Sequence, residues 1–243
     1  MGMENKGILY GVGVGPGDPE LMTLKAVKTI RNSDVIILPA KDRESCHAYR
    51  IASAAVPELV EKELLFIEFP MTHDRLKMQA AHDIIYSRIA ELLVQGKKLS
   101  LLTIGDPSVY STYMYMHRRA AEEGFRAEMI SGTASFSAVS ARLGIALGEG
   151  SEEIHIIPAS ADIESTLGLH GTRVYMKSGK QLGRLIDMLE NDECAESGNR
   201  EGKCRYYAVS NCGMENEKVF YGLNEIRNAD SYLTVVIVKE EKV

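Results

Sequence analysis

Residues 11–20 read GVGVGPGDPE and directly follow the apolar run ILY at residues 8–10. The apolar run predicts a strand, and the amphipathic pattern that begins at residue 19 predicts a helix, so the glycine-rich segment forms the turn between them. Glycine permits positive φ and proline restricts φ, so a tight turn accounts for both residue types, although such a loop also lets a flat ligand approach the backbone. The spacing matches neither G-x-G-x-x-G nor a P-loop, which argues against a dinucleotide or nucleotide phosphate site.

The first half of the chain continues this alternation of apolar runs and helical patterns. Strands are predicted at 7–15, 35–40, 64–70, 97–105 and 125–131, and helices at 19–34, 74–96 and 109–124. The buried face of the first helix is predicted to hold Leu21, Leu24, Val27 and Ile30. Gly96 is the predicted C-cap of the second helix. This βαβ order predicts a mostly parallel sheet with helices on both faces.

The second half has more strands than helices. Strands are predicted at 152–160, 172–178, 204–211, 217–222 and 231–240, and helices at 135–145 and 180–191. Strands that follow one another without helices predict a mixed or antiparallel sheet. We therefore expect an α/β protein with two domains, 1–131 and 132–243, and a surface loop at 191–203.

Composition excludes several classes of function. The 243 residues carry a formal charge of −6, and no basic face for nucleic acid is visible. The N-terminus lacks the features of a signal peptide, and no apolar stretch is long enough to span a membrane, so a cytoplasmic protein is expected. Its four cysteines are then expected to be reduced. A metal site built from Cys194, Cys204 and Cys212 remains possible, but the spacing does not match the common zinc patterns, and no metal is predicted.

Two more glycine loops follow predicted strands. LLTIGDPSVYSTY at 101–113 places Gly105, Asp106 and Pro107 after one strand, and ISGTASFSAVSARLGI at 130–145 places small and hydroxyl residues after another. Ligands of open α/β sheets bind at the carboxyl edge of the strands, so three such loops predict a pocket there. Asp106 is equally well explained as the N-cap of the following helix.

These segments resemble those of a known family. GVGVGPGDPELMTLKA, LLTIGDPSVYSTYMY and ISGTASFSAVSARLGIAL, in this order, resemble the tetrapyrrole methylases, and FPMTHD at 69–74 with IHIIPAS at 154–160 resembles the subgroup that methylates carbon 20 of precorrin-2 or of cobalt-factor II. The resemblance covers nearly the whole chain. It implies two α/β domains with S-adenosylmethionine (SAM) in the cleft between them, a tetrapyrrole substrate of cobalamin biosynthesis, and a homodimer.

The resemblance also implies positions for the two ligands. Cofactor contacts are expected at Pro16, Ile104, Gly105, Asp106, Val109, Thr133, Ala134, Ser135, Met176, Ala208, Val209, Cys212, Leu233 and Thr234. The tetrapyrrole trough is expected to include Gly15, Gly17, Asp18, Lys41, His73, Tyr110 and Tyr113. Cations and hydroxyls suit the many carboxylates of such a substrate, and Arg43, Arg75 and His47 are further candidates. The sequence NCG at 211–213 departs from the glycine and threonine of many relatives, which leaves that region open.

Methyl transfer from a sulfonium requires in-line attack by a carbon nucleophile and no protonation of the leaving thioether. The chemistry therefore depends on positioning and on exclusion of water, and the absence of a nucleophilic triad is expected. No general base is identified from the sequence. Three alternatives remain open: methylation of another ring position or of uroporphyrinogen III, a non-catalytic tetrapyrrole carrier, and, remotely, a dinucleotide oxidoreductase.

Overall fold

The computed structural model describes residues 6–70, 74–158, 161–178, 181–191 and 204–240. The chain divides into two compact units, Met1–Ala134 and Ser135–Val243. The unit boundary lies at the start of a helix, slightly beyond the domain boundary expected after residue 131. Of the loop predicted at 191–203, only residue 191 is among the described residues. His73 lies outside the described residues.

The first unit contains one five-stranded sheet with every described pairing parallel. Its elements in chain order are β1 (Ile8–Gly13), α1 (Leu24–Arg31), β2 (Val35–Leu38), α2 (His47–Ala55), β3 (Glu63–Phe66), α3 (Arg75–Val94), β4 (Lys98–Thr103), α4 (Tyr113–Glu122) and β5 (Arg126–Ile130). Short 3-10 helices occupy Pro19–Leu21 and Pro57–Glu61. The strand order is β3-β2-β4-β1-β5, which confirms the predicted parallel sheet.

The core of this unit lies between the sheet and the helices α3 and α4. Leu9, Val35, Ile37, Leu99 and Leu101 point from the strands into one cluster with apolar residues of both helices. Because side chains alternate along a strand, the neighbouring residues face the other side, where α1 and α2 pack against β1 and β4. Helices therefore cover both faces, and the polar loops are left at the ends of the strands.

The second unit contains a mixed five-stranded sheet of order β6-β7-β10-β8-β9. Its elements are α5 (Ser135–Leu143), β6 (Ile154–Pro158), a 3-10 helix (Glu164–Thr166), β7 (Thr172–Met176), α6 (Leu182–Glu190), β8 (Cys204–Ser210), β9 (Lys218–Tyr221), α7 (Gly222–Ile226) and β10 (Thr234–Glu240). Among the described strands of this second sheet, only β6 and β7 pair in parallel, so the predicted mixed sheet is confirmed. Residues of α6, including Leu185, Ile186 and Leu189, fill its core.

The first predicted helix differs from the structure. The chain makes a 3-10 turn at Pro19–Leu21, and α1 begins only after Thr23, whose side chain accepts a hydrogen bond from the Ala26 N–H at 3.2 Å. This cap resets the helical register, so the predicted buried face is wrong at Leu24, which is 88% exposed. Ile30 is buried as predicted, and Met22 and Ala26 are buried in place of Leu24.

Two further expectations are corrected. Helix α4 begins at Tyr113 rather than near residue 109, so Asp106 is not its N-cap. Cys204 is disulfide-bonded, which contradicts four reduced thiols and removes that sulfur from any metal site, whereas Cys46 and Cys212 are buried free thiols. Within the described part of the chain, no helix combines the length and the apolar character needed to cross a bilayer.

Candidate functional site

The loops that follow β1 and β4 are joined to each other through their backbones. In this strand order, the chain that leaves β1 crosses β4 to reach β2, and the chain that leaves β4 crosses β1 to reach β5. The loops after β1 and β4 therefore pass each other in opposite directions. Where they pass, Gly105 N–H donates to the Gly15 carbonyl at 2.8 Å and Gly15 N–H donates to the Gly105 carbonyl at 3.3 Å. Both glycines have positive φ, at 78° for Gly15 and 73° for Gly105, a conformation that glycine adopts without strain.

A third loop, after β5, touches the same point. A Cβ on Gly13 would lie 2.5 Å from the Gly105 carbonyl oxygen and 2.7 Å from the Gly132 nitrogen, and a Cβ on Gly132 would overlap the same carbonyl. The three loops therefore meet backbone to backbone, which requires glycine on both sides of the contact. Loop packing thus explains Gly13 and Gly15 of GVGVGPGDPE.

Asp106 holds two of these loops together. One carboxylate oxygen accepts hydrogen bonds from the Ser108 N–H at 2.8 Å and from the Ser108 hydroxyl, and the other accepts from the Gly132 N–H at 3.0 Å and from the Ser131 hydroxyl. Burial alone would raise the pKa of Asp106, but the hydrogen bonds from Ser108, Ser131 and Gly132 outweigh it and hold that pKa below its ordinary value. A charged carboxylate is therefore part of the loop structure.

Threonine side chains tie the loop after β5 to the segment after β1. The Thr133 hydroxyl donates to the Leu21 carbonyl at 2.8 Å, and the Thr23 hydroxyl donates to the Ser131 carbonyl at 3.1 Å. With the loops fixed in this way, the expected cofactor contacts divide into two groups. Gly105 and Asp106 are buried and build the site, whereas partly exposed surface is left at Ile104, Val109, Thr133 and Ala134.

The residues expected along the tetrapyrrole trough also differ in accessibility. Gly15, Pro16 and Gly17 are buried, and Asp18 is partly exposed, with one carboxylate oxygen accepting from the Glu20 N–H at 2.8 Å. Lys41 is exposed beside an open cavity of about 440 Å³ whose lining residues are Lys41, Asp42, Arg43, Glu44 and Phe66. All these segments follow strands of the parallel sheet and lie at its carboxyl edge.

His47 is a poor carboxylate ligand in this structure. Its Nδ1 lies 2.6 Å from a guanidinium nitrogen of Arg50. Burial and the positive charge of Arg50 both lower the pKa of His47, which disfavours the imidazolium that would attract an anion.

The expected substrate contact at Tyr113 is corrected. Its side chain is fully buried beneath β1, and a Cβ on Gly11 would overlap the ring. The phenol donates to the Glu128 carbonyl at 2.8 Å and lies 2.9 Å from His117 Nδ1. Burial raises the pKa of Tyr113, so the side chain is a neutral core group. Its position at the start of α4 turns the ring under the sheet, away from the loops.

Tyr110, in contrast, is 43% exposed and has a left-handed backbone with φ of 47°. For a residue with a Cβ, this conformation costs about 1–2 kcal/mol relative to the right-handed region. Such strain is found most often at functional positions held by the surrounding structure. Tyr110 follows the Asp106 turn directly, at the carboxyl edge of β4.

In the second unit, the expected cofactor residues meet at one edge of the mixed sheet. Met176 ends β7 opposite Val235, and Thr234 begins β10 opposite Ser210, the last residue of β8. The Thr234 hydroxyl donates to the Ser231 carbonyl at 2.6 Å and lies 2.7 Å from the Ser210 hydroxyl. The sheet thus brings together the segments around residues 176, 208–212 and 233–234, which are far apart in sequence.

Most of these side chains are buried. Ala208, Val209 and Thr234 have no exposed surface, Met176 and Cys212 have little, and Leu233 is partly exposed. Ala208 belongs to the core beneath the sheet, so any contact it makes with a ligand would come through its backbone. Ser135 begins α5 and is partly exposed.

Two residues at this edge have a strained backbone, and of these the sequence analysis missed Lys177 and singled out Asn211 only as part of NCG at 211–213. Lys177, directly after β7, has φ of 60°, and Asn211, directly after β8, has φ of 53°. Desolvation lowers the pKa of the Lys177 ammonium group although the residue retains exposed surface. Asn211 is held by the Ser231 hydroxyl, which donates to its side-chain oxygen at 2.6 Å. A polar residue immediately after a buried strand, as in VYMKSG, was the available signal.

Comparison with known proteins identifies related sequences. The sequence matches the family Tetrapyrrole (Corrin/Porphyrin) Methylases over residues 8–226. It is 32% identical over 238 residues to a probable cobalt-precorrin-2 C(20)-methyltransferase of Methanocaldococcus jannaschii, covering 96% of each chain. It is 33% identical over 191 residues to a precorrin-2 C(20)-methyltransferase of Sinorhizobium sp, covering 74% of this chain and 76% of the relative.

Solved structures share the fold at lower identity. A cobalt precorrin-4 methyltransferase superposes with a TM-score of 0.72 at 17% identity, covering 96% of this chain and 94% of the other. A uroporphyrin-III C-methyl transferase from Thermus thermophilus, solved with S-adenosyl homocysteine, superposes with a TM-score of 0.70 at 18% identity, covering 96% and 97%. The two α/β units predicted from the sequence are therefore those of a known architecture.

Proposed function

Because the chain belongs to the tetrapyrrole (corrin/porphyrin) methylase family, we propose that it transfers a methyl group from SAM to carbon 20 of precorrin-2 or its cobalt-containing counterpart, in cobalamin biosynthesis. The observation that carries the proposal is the likeness to a probable cobalt-precorrin-2 C(20)-methyltransferase over 96% of both chains. The relatives include enzymes named for the metal-free and for the cobalt-containing substrate, so both substrates are retained.

The loops of the first unit suit a sulfonium cofactor. Residues 104–110 and 131–135 contain no Lys or Arg, and their one charged side chain is the Asp106 carboxylate. A cationic sulfonium is favoured by a nearby carboxylate and by the absence of like charge. Ile104 and Val109 have partly exposed apolar side chains, and Thr133, on the loop after β5, is also partly exposed. We propose that these residues hold SAM, and the cofactor positions expected in the second unit stay predictions from the family resemblance.

When bound, SAM supplies an electrophilic methyl group. Carbon 20 of the macrocycle provides the electron pair of the new C–C bond, while the pair of the broken C–S bond stays on sulfur as a neutral thioether. The residues of this chain contribute orientation, because the Gly15–Gly105 bridge and the Asp106 hydrogen bonds fix the loops before substrate binds. They also exclude water, since an apolar wall at Ile104 and Val109 offers no hydrogen bond to solvent.

Methylation leaves a proton on carbon 20 that must depart to restore conjugation. We propose the Lys177 Nζ as its acceptor, because desolvation lowers the pKa of this lysine and so favours the neutral amine, which accepts a proton to become ammonium. Its left-handed backbone, directly after the expected contact at Met176, is the second feature in favour of a functional role.

The proposal is tested by anaerobic incubation with SAM and either metal-free precorrin-2 or cobalt-factor II, followed by absorbance and mass. A gain of one methyl, placed at carbon 20 by NMR of a carbon-13 label, is the expected result and also identifies the substrate. A label at another carbon would support the alternative ring position. Binding of the tetrapyrrole without turnover would support the carrier function, for which the NCG sequence at 211–213 is the motivating feature.

A pair of variants tests the cofactor site. Val109→Lys places a cation on the proposed sulfonium wall and should weaken SAM binding in calorimetry at least tenfold, since like charges at short range disfavour binding. Val94→Lys is the matched control, because Val94 is 71% exposed at the end of α3, at the opposite edge of the sheet. Equal SAM affinity of the two variants would show that Val109 does not lie beside the bound sulfonium.

Homodimerisation, also proposed from the family, is tested by light scattering on the purified protein.

A further inference from the structure

The turn that follows β8 is held from both sides by hydrogen bonds. On one side, the Asn211 N–H donates to the Leu233 carbonyl at 3.0 Å. On the other side, one carboxylate oxygen of Glu217 accepts from the Gly213 N–H at 2.8 Å, and its second oxygen is paired with the guanidinium of Arg142. Glu217 lies just before β9 and its side chain is only 18% exposed, so this carboxylate belongs to the structure of the turn.

Glu217 keeps its negative charge in this position. Burial alone would raise its pKa, but the hydrogen bonds from Gly213 and Arg142 outweigh burial and hold that pKa below its ordinary value. The same hydrogen bond raises the pKa of the Arg142 guanidinium. Hydrogen bonds between ionised partners are stronger than those between neutral groups, so the pair forms a firm link.

Arg142 connects this turn to a helix. It lies in the last turn of α5, the helix that begins at Ser135. The end of α5 is fixed by the Gly144 N–H, which donates to the Ala141 carbonyl at 3.1 Å. A cation is favoured at the C-terminus of a helix, where the backbone dipoles place negative charge. The ion pair therefore ties α5 to the turn after β8 within the second unit.

The turn needs such support because its backbone is strained. Asn211 has φ of 53°, a left-handed conformation that a residue with a side chain keeps only where its surroundings hold it. Cys212 follows Asn211 and is a cofactor contact expected from the family resemblance, and the N–H that Glu217 binds belongs to the next residue, Gly213. The carboxylate thus acts on the backbone directly beside that expected contact.

From this geometry we propose that Glu217 and Arg142 are positioning residues for SAM, which hold the backbone at Cys212 in the orientation that the cofactor requires and do not touch it themselves. The inference rests on the proposed function and on the cofactor contact expected at Cys212. Neither Glu217 nor Arg142 is among the cofactor positions expected from the sequence. In this role the pair raises the affinity for SAM and leaves the methyl-transfer step and the affinity for the tetrapyrrole unchanged.

Removing the charge of Glu217 separates positioning from packing. Glu217→Gln keeps the size of the side chain and should raise both the calorimetric Kd and the KM for SAM about tenfold, the amount expected when a charged hydrogen-bond partner is lost. The kcat at saturating SAM and the KM for the tetrapyrrole should stay within about twofold of wild type. Glu190→Gln is the matched control, because Glu190 accepts from Arg227 at 2.9 Å in another ion pair of the same unit.

Variants of Arg142 test whether the two side chains act as one link. Arg142→Met should weaken SAM binding as much as Glu217→Gln does, and the double variant should lose no more, because each substitution breaks the same pair. Arg142→Lys keeps the positive charge and should bind SAM more tightly than Arg142→Met. Additive losses in the double variant would overturn the joint role of the pair.

The outcomes distinguish this inference from the proposed function. Wild-type SAM affinity in Glu217→Gln together with a lowered unfolding midpoint would show a structural role only, which overturns the inference and leaves the methyltransferase function intact. A lowered kcat or a raised KM for the tetrapyrrole would place the pair at another step and would also overturn it. Calorimetry with SAM needs no tetrapyrrole, so it still tests the inference if wild type methylates another carbon or none. Failure of wild type to bind SAM would refute the proposed function and the inference together.

Discussion

Gly15 and Gly105 exchange two backbone hydrogen bonds, at 2.8 and 3.3 Å, although they follow different strands and are far apart in sequence. This antiparallel bridge forms where the chains leaving β1 and β4 run past each other. The N–H groups of Gly15 and Gly105 are both used within the bridge and are not available to a ligand, so the bridge acts as a support for the neighbouring residues. The candidate site is consequently a rigid edge of glycine backbone that holds a few neighbouring side chains in place.

Gly132→Ala should destabilise the protein by about 1–3 kcal/mol, because its Cβ would overlap the Gly105 carbonyl and lie 2.8 Å from the backbone of Gly13. Neither neighbour can move without breaking the loop contact. Gly168→Ala is the matched control, since a Cβ there meets nothing within 4 Å. Urea denaturation of the two variants measures the difference, and equal midpoints would show that the three loops are not packed as described.

Asp106→Asn should lower the free energy of unfolding at neutral pH by about 1–3 kcal/mol, because an amide has one acceptor oxygen and turns its N–H groups toward the donors of Ser131 and Gly132. The pKa of Asp106 is lowered in the folded protein, so its carboxylate stabilises the fold above the ordinary carboxyl pKa and loses that contribution as pH falls through the lowered value. The gap between wild type and variant should therefore close in acid. A gap that is constant with pH would show that the charge of Asp106 does not matter.

Tyr113→Phe should cost about 1 kcal/mol of stability, since it removes the hydroxyl that donates to the Glu128 carbonyl. Its KM for the tetrapyrrole should remain that of wild type, because the ring lies in the core beneath β1. Denaturation and steady-state kinetics on the same preparation provide both values. An increase in KM without a loss of stability would restore the substrate contact that the structure argues against.

Lys177 should make methyl transfer depend on pH. Desolvation lowers its pKa, so the neutral amine becomes available below the ordinary range of lysine and the rate should rise with pH until that group is deprotonated. Lys177→Arg keeps a positive charge at all accessible pH values, and it should slow turnover and flatten this rise without changing SAM affinity.

The control for this pH profile is Lys25→Met, on the exposed face of α1. It should retain the wild-type profile. If Lys177→Arg also retains that profile, the proton from carbon 20 is taken by another group or by water.

The sequence identified elements more reliably than it identified contacts. The strands β1, β2, β4 and β10 are near their predicted positions, because runs of apolar residues bury themselves in any sheet. The helix predicted at 19–34 was wrong at its start, since apolar periodicity does not show that Thr23 caps a new helix. Tyr110 and Tyr113 look equivalent in SVYSTY, yet one is exposed and strained while the other is fully buried.

By itself, the sequence determined the alternation of strands and helices, the mixed character of the second sheet, and the three glycine loops, because hydrophobic periodicity and turn chemistry act over a few residues. Only the tertiary structure decided that Gly13, Gly105 and Gly132 touch, that the Asp106 carboxylate joins two loops, and that Lys177 and Asn211 are strained at one sheet edge. These relationships depend on strand order and register, which arise from the packing of residues distant in the chain. No local pattern encodes them, so they follow only from the folded backbone.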